Sequence, residues 1–146
     1  MRRRRPGGAL VVQDIGGGHL TRTRDGAEDV TVEADEILPE GRVFAGHTPG
    51  FVDAERILVV AAEEQCAEEG VHLLLDARTL GPLAVLDYPR EPGVPAVPLG
   101  DGTWLTLDGE EVPRWTTART GARGVRRPSA RHRTRPRARV RRAAGR

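Results

Sequence analysis

Apolar and β-branched residues fall in short runs separated by turn-forming groups. The runs are Val30-Thr31-Val32, Arg42-Val43-Phe44, Ile57 to Ala61, Val71 to Leu75, Leu83 to Tyr88 and Thr103 to Leu107. Between them stand Asp25-Gly26, Pro39-Glu40-Gly41, Pro49-Gly50, Gly81-Pro82, Pro92-Gly93, Gly100-Asp101-Gly102 and Asp108-Gly109. A spacing of roughly 8–12 residues with such punctuation predicts an all-β fold of antiparallel sheets: a sandwich, a barrel or a propeller. The rival is VAAEEQCAEE at 60–69, which has good helix formers but is short and acidic. It reads as a strand end and a loop, with a helix of one or two turns as the alternative.

Two segments predict hairpins. In VHLLLDARTLGPLAVLDY a polar connector from Asp76 to Thr79 joins two apolar runs. In DGTWLTLDGEEVPRW, Asp108-Gly109 suits the positive φ angles of a two-residue turn, with Val112 and Trp115 in the returning arm. Pro113 lacks a backbone donor, which predicts an edge position for that last strand.

Charge divides the chain into zones. All 21 acidic residues lie in 6–111 with six Arg, a formal charge of −15. Four Arg in residues 1–5 and thirteen in 112–146 offset it to a net +2. The expected organisation is a basic disordered lead (1–8), an acidic β-rich domain (9–115) and an arginine-rich tail (116–146). The tail has almost no large apolar side chain to offset its ordering entropy and is predicted to be disordered. Every basic residue other than histidine is Arg, and Asn is absent. This bias points to GC-rich bacterial coding DNA, and an out-of-frame reading of such DNA would also yield the tail. Cys66 is the only cysteine, so no intramolecular disulfide forms. The apolar run Ala9 to Val12 is shorter than a secretory leader requires, and no run approaches a membrane span. Cytoplasmic residence without membrane insertion is expected.

Gly46-His47-Thr48, FVDAERILVVAAEE and GVHLLLDARTLGPLAVLDY together resemble one repeat of a WD40-type β-propeller. In that family a Gly-His pair precedes the first strand of a blade. A Trp-Asp pair closes the third, and a connector leads to the fourth, matched here by Asp76, Arg78, Thr79, Pro82 and Leu83. Leu75-Asp76 stands in place of Trp-Asp, 28 positions after His47. The similarity covers about 46–88. AERILV at 54–59 and DGTWLT at 101–106 align at an offset of 47 residues, near the blade period. Residues 94–115 would then begin a second blade and residues 20–44 would end a preceding one. The resemblance implies one to two incomplete blades with Gly46, His47 and Asp76 as the structural signature. His47 is either part of a buried hydrogen-bond network or a solvated loop residue. Propellers close with about four to eight blades, so open sheet edges are expected, and three readings fit: a piece of a longer propeller, assembly of the chain with its own copies, or a small β fold that only mimics a blade.

Candidate chemistry is sparse. Asp14-Ile15-Gly16-Gly17-Gly18-His19 lacks the spacing and the Lys-Ser/Thr of a phosphate loop. Asp14, His19, His47 and His72 have no metal-site spacing. His72 alternates with Val71 and Leu73 and is expected on a solvated strand face. Glu63, Glu64, Glu68 and Glu69 around Cys66 disfavour a thiolate. The single serine, Ser129, lies in the tail. The expectation is a non-catalytic structural or protein-interaction module without cofactor or metal, meeting a protein partner or its own copies through open sheet edges. The alternative is salt-dependent nucleic-acid binding by the tail, through Arg126, Arg127, Arg131, Arg133, Arg135, Arg137, Arg139, Arg141 and Arg142.

Overall fold

A computed structural model of the chain describes residues 8–63, 66–89, 95–107, 109–117 and 137–142. The described residues form antiparallel meanders, as the punctuated apolar runs predict. The first contains β1 (Leu10–Gln13), β2 (His19–Arg24) and β3 (Ala27–Glu33), followed by the single turn α1 (Ala34–Ile37). The second contains β4 (Arg42–Phe51), β5 (Arg56–Glu63), β6 (Cys66–Asp76) and β7 (Pro82–Asp87). The third contains β8 (Ala96–Pro98), β9 (Thr103–Thr106) and β10 (Arg114–Thr117). A last strand, β11 (Arg137–Arg142), lies between β7 and β10 and joins the second and third meanders into one eight-stranded sheet.

β5 holds the layers together. Its residues from Ile57 to Ala62 are all buried, so both faces of the strand are covered. Period-two alternation sends Ile57, Val59 and Ala61 into one core with Leu73 and Leu75 of β6. Val11, Leu20, Phe44, Leu38 and Leu80 complete that core, which sits between the first and second meanders. Leu58 and Val60 enter a second core with Leu74, Leu86, Trp104 and Trp115, closed by the third meander. Each of these buried aliphatic side chains contributes about 1.5–3 kcal/mol relative to exposure. The eight-stranded sheet therefore curls back on itself, and β8 comes to lie beside β4. Gly102 N–H donates to Val52 C=O at 2.7 Å across this approach. The sheet remains open.

Several expectations change. The segment 60–69 holds the end of β5 and the start of β6, with Glu63 and Cys66 in register; among its described residues there is no helix. Both cores need these strands at full length, which outweighs the helix propensity of Ala and Glu. The one helical turn is at 34–37, where Ala34 N–H donates to Gly18 C=O. Pro113 precedes β10, and β10 is interior, flanked by β9 and β11. Thr106 N–H uses the Pro113 carbonyl, so the missing donor breaks no ladder. The connection from β9 to β10 spans 107–113 instead of a two-residue turn, and Val112 is exposed. Residues 116–117 and 137–142 of the expected disordered tail are strand, because β7 and β10 offer ladder groups to pair with. The other tail residues, and lead residues 1–7, lie outside the described residues.

The glycine cluster has a packing role. Gly17 has φ +69°, and a Cβ there would stand 2.1 Å from the Phe44 carbonyl oxygen. The close approach lets Phe44 N–H donate to Gly17 C=O at 2.8 Å and seats β4 against the β1–β2 turn. Gly41 has φ +76° but no atom within 4 Å of such a Cβ. Gly41→Ala is expected to cost about 1 kcal/mol from backbone strain alone. Gly17→Ala adds a clash with backbone and is expected to cost about 3 kcal/mol or more. Urea midpoints of the two variants check this; equal losses would contradict the packing role.

Candidate functional site

The residues singled out by sequence separate into turn clamps, a buried polar cluster and the arginine strand. Asp76 ends β6 and starts the connector to β7. Its Oδ1 accepts from Arg78 N–H at 2.8 Å and Thr79 N–H at 3.0 Å. Its backbone N–H donates to Gly81 C=O, and its C=O accepts from Leu80 N–H, both at 2.8 Å. Leu80 sits at φ +60° with its side chain fully buried, so core packing holds a backbone conformation that Leu disfavours. Arg22, also buried, reaches from β2 to donate from Nη2 to Arg78 C=O at 3.0 Å, tying the first meander to this connector.

Gly46 lies at φ +75° where the β4–β5 register shifts between Ala45 and Gly50. Only glycine adopts this conformation readily. Gln13 Nε2 donates to Gly46 C=O at 2.7 Å, pinning β1 to the irregular stretch of β4. His47 falls in the same stretch, inside β4 and not before it; its side chain lies outside the described residues.

The same clamp recurs at other turns. Asp53 Oδ1 accepts from Glu55 and Arg56 N–H at 2.9 Å each, and Asp53 Oδ2 pairs with the Arg56 guanidinium. Arg56 Nη1 then donates to Thr117 Oγ1 at 2.8 Å, linking β5 to β10. Asp101 Oδ1 accepts from Thr103 N–H at 3.0 Å and from the Thr103 hydroxyl, while Arg114 Nη2 pairs with Asp101 Oδ2. Asp53 lies in the β4–β5 turn and Asp101 in the β8–β9 turn. Asp14 closes the β1–β2 turn by accepting from His19 N–H at 2.8 Å. His19 lies 3.8 Å from Asp14 and 3.6 Å from Glu33.

These bonds set the carboxyl chemistry. The Thr79 N–H holds the Asp76 carboxyl below its ordinary value, against a smaller opposing effect of burial. Burial pushes the Asp53 and Asp101 carboxyls up, but hydrogen bonds from Arg56 and Thr103 and the nearby guanidinium charges outweigh it. Backbone donation from His19 lowers Asp14. Carboxylates shifted further from neutrality are poorly matched to general acid–base work near pH 7 and well matched to holding turns.

His72 corrects the sequence reading. Its strand face is the expected one, but the third meander covers that face and His72 is 2% exposed. His72 Nδ1 and Tyr88 Oη are 2.7 Å apart, and Trp104 Nε1 donates to Tyr88 Oη at 2.8 Å. An indole only donates, so the Tyr88 hydroxyl has its own proton to offer His72. The Tyr88 ring meets Trp115 edge-on at 4.6 Å and His72 at 5.2 Å between centroids. Trp115 Nε1 donates to Thr106 Oγ1 at 2.7 Å. Burial pushes the Tyr88 phenol above its ordinary value, with the Trp104 bond opposing. Three of the chain's five aromatic residues thus gather with His72, which meets Tyr88, and both tryptophans meet Tyr88 in turn.

Among the tail arginines, Arg137, Arg139, Arg141 and Arg142 lie in β11, with Arg139 opposite Asp87 in the ladder. Arg126, Arg127, Arg131, Arg133 and Arg135 lie outside the described residues. Among the described residues no group of three or more His, Cys, Asp or Glu could hold a metal ion, and no helix is long and apolar enough to cross a membrane. Compared with protein-family models, curated proteins and solved structures, the chain matches none.

Tyr88→Phe keeps the ring packing and leaves the Trp104 N–H without its hydroxyl acceptor, and is expected to cost about 1–3 kcal/mol. Urea unfolding checks the loss, and near-ultraviolet circular dichroism checks that packing persists; wild-type stability would contradict the assigned role. A second expectation concerns acid. Folded Asp53, Asp76 and Asp101 titrate below their unfolded values, so their stabilisation is complete above about pH 4 and is lost as pH falls through the lowered folded values. The triple variant Asp53→Asn, Asp76→Asn, Asp101→Asn should be less stable than wild type at pH 7. Its stability should also fall less steeply between about pH 4 and 2, measured by denaturant midpoints. Parallel pH profiles would contradict the clamps.

Proposed function

We propose that the chain is a non-catalytic, structural protein-interaction module of WD40-like blade type, acting in the cytoplasm and meeting other protein chains through sheet edges. The observation that carries this reading is the four-stranded meander β4–β7, covered on both faces by the meanders before and after it. Stacked propeller blades bury their sheets in this way. The turn geometry at Asp76, the glycine conformation at Gly46 and the recurrence of the carboxylate clamp at Asp53 and Asp101 support the same reading. So does the use of the polar side chains: the clamps and the His72–Tyr88–Trp104 cluster join strands and layers. Among the described strands, β3 ends the first sheet and pairs in the ladder with β2 only. Such edges favour pairing with another chain.

Light scattering coupled to size exclusion tests this reading on the full chain, at about 0.15 M and about 1 M NaCl and after nuclease treatment. Self-association that persists in high salt is expected, because ladder bonds and apolar contacts are weakly screened. A monodisperse monomer near 15.9 kDa across the concentration range would count against edge pairing between copies. Assemblies that dissolve with salt and nuclease would instead favour the arginine tail as a nucleic-acid binder.

A further inference from the structure

β11 differs from every other strand in how it joins its sheet. It lies between β7 and β10, and its pairing with β10 is the one parallel contact among the described strands, Thr116 with Arg137 and Thr117 with Ala138. Its pairing with β7 is longer and antiparallel, from Arg139–Asp87 to Arg142–Ala84. Without it, the ladder of the eight-stranded sheet separates into β4–β7 and β8–β10, each with an open edge facing the slot. The 19 residues from 118 to 136 separate β11 from β10. A chain of that length reaches about 60 Å when extended, so covalent connection does not confine the strand to its own slot. Four of the six residues of β11 are Arg, and residues 6–111 carry a formal charge of −15. The identical segment of another copy meets the same ladder register and the same opposite charge.

We propose that β11 is an exchangeable strand: the slot between β7 and β10 accepts residues 137–142 of a second copy, and copies associate by trading this arginine-rich strand. The inference rests on the interaction-module reading and adds the site and its occupant. Strand exchange preserves native contacts, which makes it a low-cost route to association. Backbone ladders supply the attachment and the Arg–Asp87 register supplies its polarity.

The test uses the full chain with Val140→Pro, which places a proline in the middle of the β7–β11 pairing, opposite Leu86, and a fluorescent peptide of residues 136–143. Saturable one-to-one binding that survives about 0.5 M NaCl is expected. A peptide of the same charge with the Val140 position changed to Pro should bind roughly tenfold or more weakly. Asp87→Arg in the Val140→Pro chain should weaken the native peptide roughly fivefold by placing like charges opposite each other. In wild-type chains carrying donor and acceptor dyes, energy transfer between copies should fall when excess peptide is added. Should Val140→Pro not fold alone, folding on addition of the native peptide but not the proline peptide supports the slot. Equal binding of both peptides, binding lost in salt, or energy transfer insensitive to the peptide would overturn the proposal. If the chain self-associates but the peptide does not compete, edge pairing stands and strand exchange fails; if the chain is monomeric at every concentration, both fail.

Discussion

The double-sided burial of β5 is the constraint on which the other features depend. Six consecutive apolar side chains from Ile57 to Ala62 cannot be satisfied by one covered face, since alternate residues point in opposite directions. The chain answers with a meander on each side. The first meander and α1 cover Ile57, Val59 and Ala61, and the third covers Leu58 and Val60. Neither flanking meander is thick enough to form a core without the central strands, so the fold is one stack with two cores.

Polar chemistry follows from that stack. Layers that meet through apolar faces still need their turns fixed, and the chain uses a repeated device: an aspartate whose side chain accepts the N–H groups two and three residues ahead. Asp53 and Asp76 do this fully and Asp101 in part. Arg56 then extends its clamp into the third meander, to Thr117, and Arg114 ties β10 to Thr103 of β9. The His72–Tyr88–Trp104 chain brings a polar group into the second core with partners in place, which avoids the cost of an unpaired buried donor.

Much of this was legible from local pattern. The strands β5, β6, β7 and β9 follow apolar runs bounded by Gly, Pro and Asp, and the β6–β7 hairpin follows from its polar connector. What pattern missed depends on tertiary contact. β2 mixes His, Thr and Arg with the single apolar residue Leu20, and β1 is a short run of four residues; their pairing depends on covering β5. The solvation of His72 depends on whether a third layer exists, which alternation along β6 alone does not decide. The strand at Arg137–Arg142 has little apolar content and pairs because β7 and β10 present ladder groups to it. Gly17 reads as loop composition until the Phe44 backbone is placed against it.

Native-state hydrogen exchange on the full chain tests the two-sided stack most directly. The amides of residues 57–62 should exchange last, at the free energy of global unfolding, with β9 and β2 protected in the same cooperative unit. Fast exchange across 103–106 while 57–62 remain protected would show that the third meander opens independently, and that β5 is stably covered on one face only.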